Sequence, residues 1–209
     1  MIRIENLNKT IKKQHILKNV SLHVRKGTIC GIVGNNGSGK TVLFKCILGF
    51  YFADSGNIWI ADKQRRKKDG ILTNAAAIIE HPAFLGKSTG IQNLRYLYEL
   101  NHKKDLTHLN HVLDIVGLNG SSKKKVRNYS LGMRQRLAIA QVIMDDKEIM
   151  ILDEPMNGLD KQGVAEMREL FRKQKEAGKT ILLASHNRED IDILCDDVYE
   201  MDAGVLTKE

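Results

Sequence analysis

Proline occurs twice and cysteine three times in the 209 residues, and aromatic side chains make up 5%. Cys30, Cys46 and Cys195 are odd in number and widely spaced, with no CxxC pair. That excludes a disulfide framework and a zinc-ribbon pattern, and a reducing cytosol fits the usage. The opening residues, MIRIENLNKT, lack the apolar core of a signal peptide. No window approaches the roughly 18 consecutive apolar residues of a spanning helix, so any membrane role is expected to run through another chain. Internal repeats, low-complexity tracts and long Gly, Ser or Pro linkers are absent as well.

What remains is an ordinary globular composition, 42% hydrophobic and 28% charged. The length suffices to bury a core without disulfides or metal. Lysine and arginine number 33 against 25 aspartate and glutamate, a formal charge of +8. Such a surplus favours anionic partners, whether nucleotides, nucleic acid or an acidic membrane surface, without choosing among them.

Strand-length apolar runs recur at IRIENL (2–7), TICGIV (28–33), NIWIA (57–61), AAAII (75–79), EIMIL (148–152) and TILLAS (180–185), with a last pair near VYEM (198–201) and VLT (205–207). Several lack polar alternation, as strands buried on both faces of a parallel sheet do. Helix-length segments separate them, so the fold class is α/β. From about Ser88 to Met144 no strand is evident. Thr89 and Gln92 form a T-x-x-Q capping box, and Leu109, Val112, Leu113 and Val116 define one apolar face of a second helix ending near Gly117 or Gly120. A helical subdomain of about 80–145, inserted between core segments 1–79 and 146–209 of a single domain, is the expected organisation.

Two basic runs stand out, Lys63 to Lys68 and Lys123 to Arg127. The first lies between predicted strands and reads as a solvated hairpin loop, with contact to anionic lipid as the alternative. His108 and His111 sit at i, i+3 on a predicted helix without a third ligand nearby, so a solvated helix face is the default. Trp59 and Tyr98 read as packing residues.

Residues 34–41, GNNGSGKT, fit G-x-x-x-x-G-K-[ST] with Gly34, Gly39, Lys40 and Thr41 at the fixed places, after a strand and before a helix. Small residues let the backbone N–H groups of Asn35, Asn36, Gly37 and Ser38 turn inward as an anion nest, and the helix continuing through Val42 offers its positive end. Lys40 is expected to reach the β and γ phosphates and Thr41 to ligate Mg²⁺, so the loop is a triphosphate cradle. IMILDEP (149–155) supplies the counterpart. Its strand delivers Asp153 to the sheet's C-terminal edge to hold Mg²⁺, and Glu154 next to it is placed as general base toward an attacking water.

With YSLGMRQRLAIA (129–140), MNGLD (156–160) and ASH (184–186) following in order, the whole chain resembles the nucleotide-binding subunit of an ATP-binding cassette (ABC) transporter. SLGMRQRL and IIEHPAF (78–84) look closest to bacterial ATPases of the bacitracin and lantibiotic export or self-protection type. The resemblance implies a P-loop fold with a mixed, largely parallel sheet core and an inserted helical subdomain. It implies an ATPase using ATP and Mg²⁺, acting as a homodimer or with a related ATPase chain. Separate transmembrane permease subunits would hold it at the inner face of the cell membrane, on the cytoplasmic side, with no nucleic acid partner and peptide antibiotics as the cargo class.

Ser130 and the backbone near Leu131 and Gly132 would then contact the γ-phosphate of the partner's ATP. Asp160 would communicate across the dimer, and His186 would bond the γ-phosphate and hold the water in line. Three departures from the family pattern are visible. Leu131 and Met133 flank Gly132 in the signature. Glu80 stands where a Mg²⁺-sensing glutamine is usual, and Ile11 where an aromatic residue stacks on adenine. The competing expectation is a soluble nucleotide-gated clamp on nucleic acid or ribosomes, for which the +8 charge would be the footprint.

Overall fold

The computed structural model describes residues 1–80, 83–119 and 123–209. In chain order the elements are β1 (Ile2–Ile11), β2 (Gln14–Val24), β3 (Ile29–Val33), α1 (Lys40–Leu48), β4 (Ser55–Ile60), β5 (Lys63–Gln64), β6 (Ala75–Ile78), α2 (Gly90–Tyr98), α3 (Leu106–Ile115), α4 (Leu131–Ile143), β7 (Ile149–Asp153), α5 (Lys161–Glu176), β8 (Thr180–Ser185), α6 (Arg188–Leu194), β9 (Asp197–Asp202) and β10 (Val205–Lys208).

They build two sheets. A six-stranded sheet runs β10-β9-β3-β8-β7-β6, parallel throughout except for the β10–β9 edge pair. The strands read as unbroken apolar runs are its centre, and every residue of β7 and β8 is buried. Alternate side chains serve opposite layers. Ile149 and Ile151 of β7 pack with α1 and the second sheet, whereas Met150 and Leu152 pack with Leu109, Leu137 and Phe171 of the helices. Burial on both faces is what a period-free apolar strand encodes.

The second sheet, β2-β1-β4-β5, is antiparallel. Sequence reading anticipated neither its separateness nor β2, and it ended the first strand at Leu7. The reason is irregular register: β1 shifts against β2 at three places between Ile4 and Thr10, which breaks the two-residue alternation on which strand recognition depends. Lys12 and Lys13, both at positive φ, close the β1–β2 turn, and Ala61 and Asp62 do the same for β4–β5.

Between β6 and β7 lie α2, α3 and α4. Thr89 Oγ1 accepts from Gln92 N at 3.3 Å while Gln92 Oε1 accepts from Thr89 N at 2.9 Å, so the capping box forms at both ends. Asp105 caps α3 through His108 N, and Gly117 follows that helix at φ +72. Gly120 lies outside the described residues. His108 Nε2 is 2.8 Å from the Met144 carbonyl and His111 is exposed. Arg3 stacks over Trp59 at 4.3 Å, and Tyr98 stacks on His102. Among the described residues no helix is long and apolar enough to cross a membrane.

Candidate functional site

The loop between β3 and α1 wraps its own lysine. Lys40 is buried, and its ammonium donates to the carbonyls of Gly34 at 2.5 Å and Asn35 at 3.1 Å. Ser38 N closes the turn onto Asn35 O at 3.2 Å. Two of the glycines answer to the geometry. A Cβ on Gly34 would stand 2.3 Å from the Met201 carbonyl of β9, and Gly39 holds φ +118 as the cap of α1. The Ser38 hydroxyl is buried and has no hydrogen-bond partner among the described residues.

Strand β7 brings the acids alongside, and β8 ends just before His186. Thr41 Oγ1 donates to Asp153 Oδ2 at 2.6 Å, which pairs a hydroxyl and a carboxylate from opposite walls. Burial lifts the Asp153 carboxyl above its ordinary value, against the pull of Thr41 and Lys40. Glu154 sits one residue past β7 at φ +51, its N–H bonded to Ala184 O at 2.9 Å. An L-residue at positive φ costs about 1 kcal/mol, and here that conformation turns the carboxylate into the cavity. Glu154 Oε2 lies 2.8 Å from His186 Nδ1, while the other oxygen, Oε1, lies 3.8 Å from Lys40 Nζ and is buried without a hydrogen bond.

Lys40, Thr41, Asp153 and Glu154 line a cavity of about 610 Å³ to which Asn36, Gly37, Gly39, Val42, Glu80 and Asn157 also contribute, whereas Gly34, Asn35, Ser38 and His186 are not among its lining residues. Glu80, like Glu154, follows a sheet strand at positive φ, +58. Its carboxylate pairs with Lys45 of α1 at 2.5 Å, and that hydrogen bond holds the Lys45 pKa above its ordinary value. His81 and Pro82 of IIEHPAF lie outside the described residues.

Ile11 requires a correction: the apolar wall of the cavity is Ile16. Ile11 pairs with Gln14 at the tip of the β1–β2 hairpin, whereas β2 returns past the loop and brings the Ile16 carbonyl within 3.3 Å of where a Gly39 Cβ would be. Gln135 was also missed. It is buried on α4, donates to Pro155 O at 2.8 Å and faces the cavity.

Ser130, Gly132 and Asp160 are not brought to this cavity. They line a separate one of about 350 Å³ with Leu131, Met133, Arg136, Gly158 and Leu159. Ser130 caps α4 by accepting from Met133 N at 3.2 Å, and Asp160 caps α5 by accepting from Gly163 N at 2.8 Å. Leu131 is 61% exposed and packs against Gly158, where any Cβ would meet it at 2.5 Å.

Comparison with known proteins gives a consistent picture. The family described as "ABC transporter" matches residues 17–157. An uncharacterized ABC transporter ATP-binding protein, YybJ, of Bacillus subtilis (strain 168) is 40% identical over 209 residues, covering 99% of this chain and 94% of that protein. The bacitracin transport ATP-binding protein BcrA of Enterococcus faecalis is 36% identical over 211 residues, covering 100% and 68%. Among solved structures, a dimeric ATP-binding cassette in a post-hydrolysis state bound to ADP and Pi superposes with a TM-score of 0.90 at 21% identity, covering 100% and 98%.

Proposed function

The chain belongs to the ABC transporter family, and on that footing we propose that it is the ATP-hydrolysing subunit of a transporter. In this reading it closes head to tail around MgATP with a second ATPase chain and drives separate membrane subunits. The observation that carries the reading is Glu154. One carboxylate oxygen is engaged by His186, and the other is buried beside the Lys40 ammonium without a hydrogen bond among the described residues.

The donor set fits the ligands. The loop residues Asn36, Gly37 and Gly39 with the Lys40 ammonium match a phosphate, and the Thr41 hydroxyl beside the Asp153 carboxylate offers two hard oxygens for Mg²⁺, with Glu80 a third in the cavity lining. Thr41, Asp153 and Glu80 would hold Mg²⁺ there, and its charge would offset the negative charge that develops on the phosphate. Lys40 would exchange its two loop carbonyls for phosphate oxygens. Glu154 would accept the proton of the attacking water, and His186, bonded to it, would fix the orientation of that carboxylate. Ile16 would pack against the nucleotide on the wall where no aromatic face is available.

The separation of the two cavities supports a dimer. The groups expected on the γ-phosphate divide between a P-loop cavity and a signature cavity on one chain, so a head-to-tail pair would complete two sites at once. The relative named for bacitracin transport supports peptide antibiotics as cargo. The test is ATP turnover by the purified chain and by Lys40→Ala and Glu154→Gln. Turnover retained by both variants overturns the assignment.

A further inference from the structure

Among the described residues, two polar side chains are buried in the helices between β6 and β7, Asn93 and Gln135. Asn93 is satisfied locally, because its amide bonds the backbone of Leu85 and Thr89 and so ties α2 to its own leading loop. Gln135 reaches out of the helices instead. It is 8% exposed, and its Nε2 donates at 2.8 Å to the carbonyl of Pro155, the residue after Glu154. A carbonyl only accepts, so the amide nitrogen is fixed on the Pro155 side. Leu137, Ala138, Ile139 and Ala140 of the same helix are buried and apolar. Burying an amide beside them costs free energy that its hydrogen bond must offset.

Pro155 is the second residue of the turn 154–157, whose first is Glu154. At φ +51 Glu154 holds a conformation that persists in an L-residue only where the surroundings over-determine it. Three restraints act on Glu154 itself. Its N–H bonds Ala184 O at 2.9 Å, its carbonyl accepts from Asn157 N at 3.2 Å, and its carboxylate meets His186 at 2.8 Å. Gln135 supplies a fourth, one peptide farther on. Pro155 is buried, and the turn bonds from Asn157 N to Glu154 O and from Leu159 N to Met156 O leave its carbonyl to Gln135. The same stretch meets α4 at a second point, where Leu131 lies 2.5 Å from the place a Gly158 Cβ would take. Arg136 in turn anchors α4, bonding Val116 O at 2.8 Å and Glu166 of α5 at 2.7 Å. An anchored helix therefore grips the peptide next to the carboxylate.

We propose that Gln135 is a positioning residue for hydrolysis: by holding the Pro155 carbonyl it sets the direction of the Glu154 carboxylate, and it does not itself act on the reacting atoms. The inference rests on the reading of Glu154 as general base. Such a base works only within hydrogen-bond reach of its water, and a misplacement of about 1 Å costs up to about 100-fold in rate. Without the amide the buried Pro155 carbonyl loses its donor, and the turn relaxes to find another. MgATP binding rests on the phosphate loop, Thr41 and Asp153, so it does not sense the change.

The test uses the full-length chain with two substitutions, each made alone and together with Glu154→Gln. Gln135→Met keeps length and volume but has no donor, and the ionised carboxylate of Gln135→Glu would oppose the Pro155 carbonyl. Phosphate release gives kcat and KM, single-turnover mixing follows the slowest variants, calorimetric titration gives MgATP affinity, and thermal unfolding shows which variants are folded. The expected result is a kcat roughly 10- to 100-fold lower in Gln135→Met and lower still in Gln135→Glu, with KM and MgATP affinity within about threefold of wild type. Added to Glu154→Gln, the same changes lower the rate by no more than about threefold, because the group they misplace is already gone. A smaller loss of kcat in the folded variants overturns the proposal, and so does a larger loss of affinity. A larger loss in the Glu154→Gln background also overturns it, since Gln135 would then act on packing or on the water itself. If Gln135→Met does not fold, Gln135→Glu and the shorter Gln135→Asn carry the same comparison. Wild-type turnover that survives Glu154→Gln undiminished is a separate failure, that of the general-base reading.

Discussion

Gly34 and Gly37 share one loop, yet they answer to different constraints, and substituting alanine at each separates them. At Gly34 the new methyl would lie 2.3 Å from the Met201 carbonyl and 3.0 Å from Ser38 Oγ. The first contact is backbone in β9, so relief requires the loop or the sheet edge to move by most of an ångström. Overpacking of that kind costs about 2 kcal/mol, which in a chain of this size lowers Tm by about 4–8 °C. At Gly37 the backbone sits at φ +82 but nothing lies within 4 Å of the added atom. Only left-handed strain of about 1 kcal/mol applies, partly offset by the lower entropy of the unfolded alanine chain. A Tm loss of no more than about 4 °C is expected. Ligand binding should invert the order of selectivity. Gly37 lines the cavity, so Gly37→Ala should lose MgATP affinity out of proportion to its small stability cost, whereas Gly34→Ala loses both together. Thermal unfolding without nucleotide and calorimetric titration with MgATP measure the two quantities. Equal Tm losses, or a thermally silent Gly34→Ala, would refute the steric reasoning.

Further predictions follow from the acids and the caps. Because burial holds the Asp153 carboxyl above its ordinary value, its contribution to stability is present at low pH and is lost as pH rises through the raised folded-state value. Asp153→Asn should therefore raise the Tm of the nucleotide-free chain at about pH 8. That advantage should shrink as pH falls toward the ordinary carboxylate range, and Mg²⁺-dependent turnover should be lost. Glu154→Gln should lower kcat by at least about 100-fold in steady-state phosphate release while ATP affinity survives. Ser130→Ala removes the α4 cap and should cost about 1 kcal/mol, or 2–4 °C in Tm. Ser130→Asn should restore the stability, and both variants should turn over ATP poorly if Ser130 also meets the partner's nucleotide.

Legibility in the sequence tracked contiguity. The phosphate loop and the Asp153-Glu154 pair are chemistry written in consecutive residues, because one strand end or one turn builds them, and their neighbourhood in space follows from β3, β7 and β8 lying side by side. The unalternated strands were legible because both their faces are buried. By contrast β2 was hidden by bulged register, and with it Ile16, whose place depends on where the hairpin returns. Lys45 follows Thr41 by four residues on α1 and so shares its face, but nothing in the sequence says that the carboxylate it meets is Glu80. Gln135 needed the contact between α4 and Pro155 to acquire meaning.

The central claim is that this chain and a second ATPase chain complete each other's sites around ATP. It is tested most directly by the mass in solution of Glu154→Gln, which is expected to bind without hydrolysing, with MgATP and with MgADP. A monomer that becomes a dimer only with MgATP is the predicted result, with Leu131 and Met133 tolerated beside Gly132. A variant that binds MgATP and stays monomeric would contradict the account.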